Sequence, residues 1–221
     1  MPNRRVLVGT PAYNGTAEVH YINSLLYSDR LCLKNGIDLH PIWLSYDGLI
    51  QRCRNDLLAM AVKDQFDDLV FIDADITWDP PQLLKLLQYP VDVVGGTYRK
   101  KTDAEEIYTV KAGNPNLPRD PSTGLMVVDG LGTGFLRVSR KAMLAVWDQA
   151  EPYQDQRGET RWVFDVRPIN GKVWGEDTIF CMKLAECGFP VHLDPAITCG
   201  HIGIKKFEGN FGKYLSRLQG Q

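Results

Sequence analysis

Short apolar runs and amphipathic stretches alternate through the first hundred residues. Val6-Leu7-Val8 lies in a strand predicted over Arg5 to Gly9, closed by the turn-forming stretch Thr10-Pro11-Ala12-Tyr13-Asn14-Gly15. From about Ala17 to Leu33, Val19, Ile22, Leu25, Leu26 and Cys32 fall near one helical face, and Asn35-Gly36 ends the helix. Ile37 to Leu44 reads as a strand and Leu49 to Val62 as a second helix. Leu69-Val70-Phe71-Ile72 has no polar alternation, the pattern of a strand covered on both faces. Asp79 is a good N-cap with Pro80 at the first helical position, so a short helix is expected from Gln82 through Leu87. Val91 to Val94 is a fourth strand, ending in Gly95-Gly96. Strands separated by helical crossovers predict a parallel, doubly wound α/β sheet.

The second half changes character. Glu106 to Val110 and Leu125 to Val128 read as short strands around a Pro/Asn/Gly-rich loop from Gly113 to Gly124. Gly130-Leu131-Gly132-Thr133-Gly134 leads into a strand over Phe135 to Val138, followed by a helix from about Arg140 to Trp147. Glu151 to Arg161 is polar and is expected to be a mobile segment. Trp174-Gly175-Glu176-Asp177 opens a helix that Gly188 terminates, and Val191 to Leu193 and Ile197 to Cys199 are strands before a basic tail. The expectation is one domain over 1–221, with a parallel half to about residue 100 and a mixed half from about 101.

Composition narrows the class. A chain of 221 residues can bury a substantial core, and a net charge of −2 gives no general attraction to nucleic acid or membrane. No run approaches ~20 apolar residues, and Met1-Pro2-Asn3-Arg4-Arg5 leads into a strand rather than a signal segment. A soluble, cytoplasmic protein without a membrane span is expected. Asn14-Gly15-Thr16 fits the glycosylation sequon but reads as a turn and cap. Five cysteines at irregular spacing make no disulfide framework. A zinc set of Cys181, Cys187, Cys199 and His201 is disfavoured, because Cys181 and Cys187 fall on different faces of one helix; buried thiols are expected instead.

The chemistry concentrates at Asp73-Ala74-Asp75, just past the carboxyl end of the apolar strand, where ligands bind in open α/β sheets. Two carboxylates one residue apart repel unless a cation lies between them, which points to a divalent metal holding a diphosphate. Mg²⁺ prefers oxygen ligands and Mn²⁺ also accepts imidazole, so Asp75 and His201 with two diphosphate oxygens would make most of an octahedral site. His201, expected just after a strand and followed by Lys205-Lys206, reads as a metal ligand beside a phosphate clamp. Glu176 and Asp177 begin a helix, where the dipole favours carboxylates whatever their function. The catalytic alternative is that Asp177 takes a proton from an attacking hydroxyl.

In order and spacing, Thr10-Pro11-Ala12-Tyr13-Asn14, Arg52-Cys53-Arg54-Asn55, Phe71-Ile72-Asp73-Ala74-Asp75, Val93-Val94-Gly95-Gly96, Gly132-Thr133-Gly134-Phe135, Gly175-Glu176-Asp177 and His201 resemble GT-A type glycosyltransferases. The similarity is to family-2-like enzymes, especially the small glycosyltransferases of large DNA viruses and phages. It implies a mostly parallel, Rossmann-like central sheet flanked by helices, with a small second antiparallel sheet. The first half would bind the nucleotide sugar; the second would face the acceptor and complete the metal site. The implied reaction is metal-dependent transfer, with Mn²⁺ or Mg²⁺, from a nucleoside-diphosphate sugar to an acceptor hydroxyl, a UDP-sugar being the expected donor. The acceptor would be a glycan or another hydroxyl, with modified phage DNA a less favoured case, in the cytoplasm of a bacterial cell or a virus-infected host.

Residue by residue, the resemblance implies that Thr10, Pro11, Ala12 and Tyr13 cradle the base and ribose. Arg52 would lie near the nucleotide or diphosphate, with Arg54 the alternative because helix phase is open. Asp73 and Ala74 would flank the donor, Asp73 contacting ribose or a metal-bound water, while Asp75 and His201 bind the metal. Gly134 would allow close approach of the donor sugar, Trp174 and Gly175 would meet sugar or acceptor, and Lys205 or Lys206 would neutralise the departing diphosphate. Asp177, with Glu176 beside it, would be catalytic. Arg52-Cys53-Arg54-Asn55 paired with Asp73-Ala74-Asp75-Ile76 also resembles retaining mannosyltransferases of the fungal mannan-polymerase type, which leaves the stereochemistry open.

Two other classes compete. Asp73-Ala74-Asp75-Ile76-Thr77 fits the nucleophile motif of haloacid-dehalogenase-like phosphatases, with Asp73 phosphorylated, but that motif normally follows the first strand and here follows the third. A non-catalytic nucleotide-sugar binding protein is the other. A nucleotidyltransferase on a similar fold would carry a basic first loop, which Thr10 to Gly15 lacks.

Overall fold

A computed structural model describes residues 4–103, 105–112, 117 and 119–219. Residues 113–116 and 118 of the expected Gly113 to Gly124 loop lie outside the described residues. In chain order the elements are β1 (Arg4–Ala12), α1 (Val19–Lys34), β2 (Ile37–Ser45), α2 (Ile50–Lys63), β3 (Asp68–Ile72), β4 (Ile76–Trp78), α3 (Pro80–Gln88) and β5 (Val93–Gly95). The mixed half follows with β6 (Val110–Lys111), β7 (Met126–Val128), β8 (Gly130–Leu131), β9 (Phe135–Ser139), α4 (Arg140–Gln149), β10 (Pro152–Asp155) and β11 (Gly158–Arg161). It closes with β12 (Arg167–Ile169), β13 (Lys172–Trp174), α5 (Glu176–Glu186), β14 (Val191–Leu193), β15 (Cys199–Ile202), β16 (Lys206–Phe207) and α6 (Phe211–Gln219).

The central sheet has seven strands in the order β2-β1-β3-β9-β5-β14-β7. β1 is parallel to β2 and β3, and β14 is parallel to β5, whereas β9 runs antiparallel between β3 and β5 and β7 is antiparallel to β14. This is the expected α/β arrangement with a mostly parallel sheet. The small antiparallel sheet is β16-β15-β4, lying beyond the carboxyl end of β3. Every residue of β3 is buried, as its apolar run requires, with one core on each sheet face. Asp68 at its start is neutralised by Arg4 (2.6 Å) and Arg137 (2.7 Å). Proline opens α3 as expected, and Gln82 Oε1 accepts the Asp79 N–H at 3.3 Å.

Several expectations change. The buried side of α1 is Tyr21, Ser24, Leu25, Ser28 and Cys32, while Val19 and Leu26 are exposed. Its phase is set by β4: Ser24 Oγ donates to the Trp78 carbonyl (2.7 Å), and the Trp78 indole N–H donates to Ser28 Oγ (2.9 Å). Small hydroxyls thus make the groove that receives a large ring, which apolar counting misses. Ile76–Trp78, given no element from the sequence pattern, is a strand because β15 pairs with it. The expected strand over Glu106 to Val110 shrinks to β6, with Tyr108 joined to Arg99 by an isolated bridge. Glu151 to Arg161 is not a loose segment: it forms the β10–β11 hairpin, docked on α2 by Arg157, which donates to Asp56 at 2.6 Å. The basic tail forms α6. All five cysteines are free thiols.

Candidate functional site

β1 and β3 end side by side, and the chain leaving each opens a cleft of about 910 Å³ over their carboxyl ends. Pro11, Ala12 and Tyr13 line one end with Asp47, while Asp73, Ala74, Asp75, Tyr98, Lys101 and His201 line the other. The pieces are far apart in sequence; the parallel pairing of β1 with β3 and the β4–β15 ladder bring them together.

His201 lies within β15 rather than after a strand, directly opposite Ile76. Its Nδ1 donates to the Arg99 carbonyl at 2.9 Å, which turns Nε2 toward Asp75 Oδ2 at 3.6 Å. A ring nitrogen tied to a backbone carbonyl, with the other free beside a carboxylate, is the arrangement of a metal-ligating histidine. The Lys101 ammonium is bonded to the same Asp75 oxygen, a cation already seated at this position. Burial pushes the Asp75 carboxyl up, but His201 and Lys101 more than reverse that and hold it below the usual carboxylate range. These two donors suit Mn²⁺ or Mg²⁺, with the remaining positions left to ligand oxygens. Among the described residues no cluster of three or more His, Cys, Asp or Glu could hold a metal by itself.

Asp73 has a different neighbourhood. Arg54, 3% exposed, donates to Asp73 Oδ1 at 3.0 Å through Nη2 and to Glu176 Oε1 through Nη1. Burial draws the guanidinium pKa down, but the Asp73 and Glu176 carboxylates more than offset it, so Arg54 stays charged. Its Nε has no hydrogen-bond partner among the described residues. Gly134 N–H donates to the Tyr98 hydroxyl oxygen at 3.1 Å, and a Cβ at Gly134 would meet that oxygen at 2.5 Å and Asp73 Oδ2 at 2.7 Å. Glycine is therefore required here by space. Asp177 Oδ1 accepts the Thr178 N–H at 2.7 Å, and no hydrogen bond to its Oδ2 is formed among the described residues.

Other sequence-predicted residues fall elsewhere. Thr10 is fully buried and shares a 2.6 Å hydrogen bond with Tyr21, because the β1 alternation turns it toward α1 instead of the cleft. Arg52 makes a bidentate pair with Asp47, its Nε at 2.9 Å and Nη2 at 2.8 Å, and lies in a shallow depression with Arg157 rather than beside Asp73-Ala74-Asp75. The helix phase puts Arg54 against the Asp73-Ala74-Asp75 turn. Lys205 pairs with Asp103 on the surface and Lys206 with Glu208, so neither lines the cleft. Trp174 lies under two ammonium groups, Lys111 at 4.2 Å and Lys172 at 4.8 Å from its ring centre, and Gly175 is the N-cap residue of α5. Asp47, Arg54, Tyr98 and Lys101 went unassigned or secondary in the sequence, where nothing distinguishes them from surface charge or core aromatic.

Similarity to known proteins is confined to structure. No protein-family model and no curated protein matches the chain. The crystal structure of A197 from STIV aligns over 90% of this chain and 86% of its own, with 19% identity and a TM-score of 0.55. S. aureus TarS 1-349 in complex with UDP-GlcNAc aligns over 86% of this chain with 14% identity and a TM-score of 0.50. This chain spans 56% of that TarS chain's length. The fold is GT-A: a mostly parallel central sheet with a small antiparallel one, as in these structures.

Proposed function

We propose that this chain is a metal-dependent glycosyltransferase that moves a sugar from a nucleoside-diphosphate sugar, a UDP-sugar, to an acceptor hydroxyl. The observation that carries the reading is Asp75 and His201 meeting at the floor of the cleft, with the imidazole fixed by the Arg99 carbonyl so that Nε2 faces the carboxylate. The fold shared with TarS, solved with UDP-GlcNAc, supports the donor class by analogy. Pro11, Ala12 and Tyr13 with Asp47 form the nucleotide end. Asp75 and His201 would hold Mn²⁺ or Mg²⁺, which when bound supplies positive charge to the departing diphosphate. Arg54 holds the Asp73 side chain in place on the donor side while fixing Glu176 at the start of α5. Asp177, with Oδ1 anchored, keeps Oδ2 to receive the acceptor proton. A phosphatase using Asp73 as nucleophile is disfavoured, because Arg54 occupies Asp73 Oδ1 and the motif follows the third strand of the chain rather than the first.

The test is Mn²⁺-dependent hydrolysis over a panel of nucleotide sugars, run beside Asp75→Ala. Loss of metal-dependent turnover is expected; full turnover in Asp75→Ala would overturn the site. Asp177→Asn should lower transfer by about 10²–10⁴-fold with UDP binding retained, and unchanged transfer would remove Asp177 as the base.

A further inference from the structure

Lys101 is the cleft residue whose position the metal reading leaves unexplained. Its ammonium is bonded to Asp75 Oδ2, the oxygen that also faces His201 Nε2 at 3.6 Å. Backbone geometry aims it there. The Thr102 N–H donates to the Lys100 carbonyl at 2.8 Å, a tight reversal centred on Lys101, and the Arg99 carbonyl two residues earlier fixes the His201 ring. The lysine stem crosses the chain after β15 at Gly203, where a Cβ would come within 3.1 Å of Lys101 Cδ. One short segment therefore sets the imidazole tautomer and places a cation on the carboxylate.

An ammonium and a divalent ion held on one carboxylate repel each other at short range, so a divalent ion on Asp75 weakens the Lys101 contact. Lys101 side-chain exposure is 35%, so the ammonium can leave without breaking packed structure. From this geometry we infer that Lys101 is an exchangeable counter-ion. It neutralises Asp75 in the empty cleft, and it moves to the diphosphate of the donor when a divalent cation takes its place. Lys205 and Lys206 are held elsewhere by Asp103 and Glu208, which leaves Lys101 as the lysine lining this cleft among the described residues. The exchange couples metal and nucleotide: each relieves a charge that the other exposes. It also makes metal binding weak until a diphosphate arrives. This inference rests on the metal and donor reading above.

The experiment measures Mn²⁺ alone, by the electron paramagnetic resonance of free Mn²⁺, and then UDP in saturating Mn²⁺ by calorimetry, for the unsubstituted protein, Lys101→Met and Asp75→Asn. Lys101→Met is expected to bind Mn²⁺ alone about tenfold more tightly and UDP about tenfold more weakly, each shift about 1.4 kcal/mol. A lysine acting only as loop packing would move neither in opposite directions. If Mn²⁺ binding depends on Asp75 but Lys101→Met leaves it unchanged or weaker, the counter-ion role is overturned and the metal site stands. If Mn²⁺ binding is absent in all three, or indifferent to Asp75, the metal reading falls and this inference with it.

Discussion

Arg54→Met removes the cation that joins Asp73, at the carboxyl end of β3, to Glu176, at the start of α5. Deleting one partner of a fully buried ion pair costs about 3–5 kcal/mol, because the other charge stays buried and unpaired. Here two carboxylates would be left, but their side chains keep 23% and 18% exposure at the cleft wall, so water can reach them. A loss of about 2–3 kcal/mol follows from that discount. At roughly 2–4 °C per kcal/mol for a chain of this size, the midpoint of thermal unfolding should drop by about 4–12 °C. The sharper measurement is the triple variant Arg54→Met/Asp73→Asn/Glu176→Gln. With no charge left unpaired, it should recover much of the lost stability, as buried pairs replaced whole are far less costly than pairs broken. Calorimetric unfolding without ligand reads both. If Arg54→Met melts with the unsubstituted protein, or the triple variant melts below the single one, the bridge is not what holds these two elements together.

Gly134→Ala places a methyl group where the Tyr98 hydroxyl and Asp73 Oδ2 already lie, at 2.5 and 2.7 Å. Overpacking of this kind costs about 1–3 kcal/mol, and Tyr98→Phe should restore part of it; equal melting of Gly134→Ala and the unsubstituted protein would refute the crowding. Burial raises the Asp56 carboxyl from 3.8 to about 6 despite its bond from Arg157. The folded chain then holds a proton that the unfolded chain releases, so stability falls as pH rises from about 4 to about 6. Asp56→Asn should flatten that slope in denaturant unfolding across the window, and an unchanged slope would show that Asp56 does not titrate there.

The sequence by itself determined the fold class, the order of the first three strands and the place of Asp73-Ala74-Asp75. Local patterns suffice for these: a short unbroken apolar run, rich in β-branched and aromatic residues, reads as a strand covered on both sides, and the residues after it fall at the carboxyl edge of the sheet. Pairing across the chain decided the rest. Ile76–Trp78 is a strand only because β15 lies beside it, and that ladder is what carries His201 back to Asp75. Arg52 and Arg54 are indistinguishable until the phase of α2 is fixed by packing; then Arg54 is buried between Asp73 and Glu176 and Arg52 turns to Asp47. Lys101 and Lys205 are equally plain basic residues in the sequence. Tertiary structure alone gives one of them Asp75 and the other Asp103, because ionic partners are chosen by distance in space and sequence separation carries almost none of that distance.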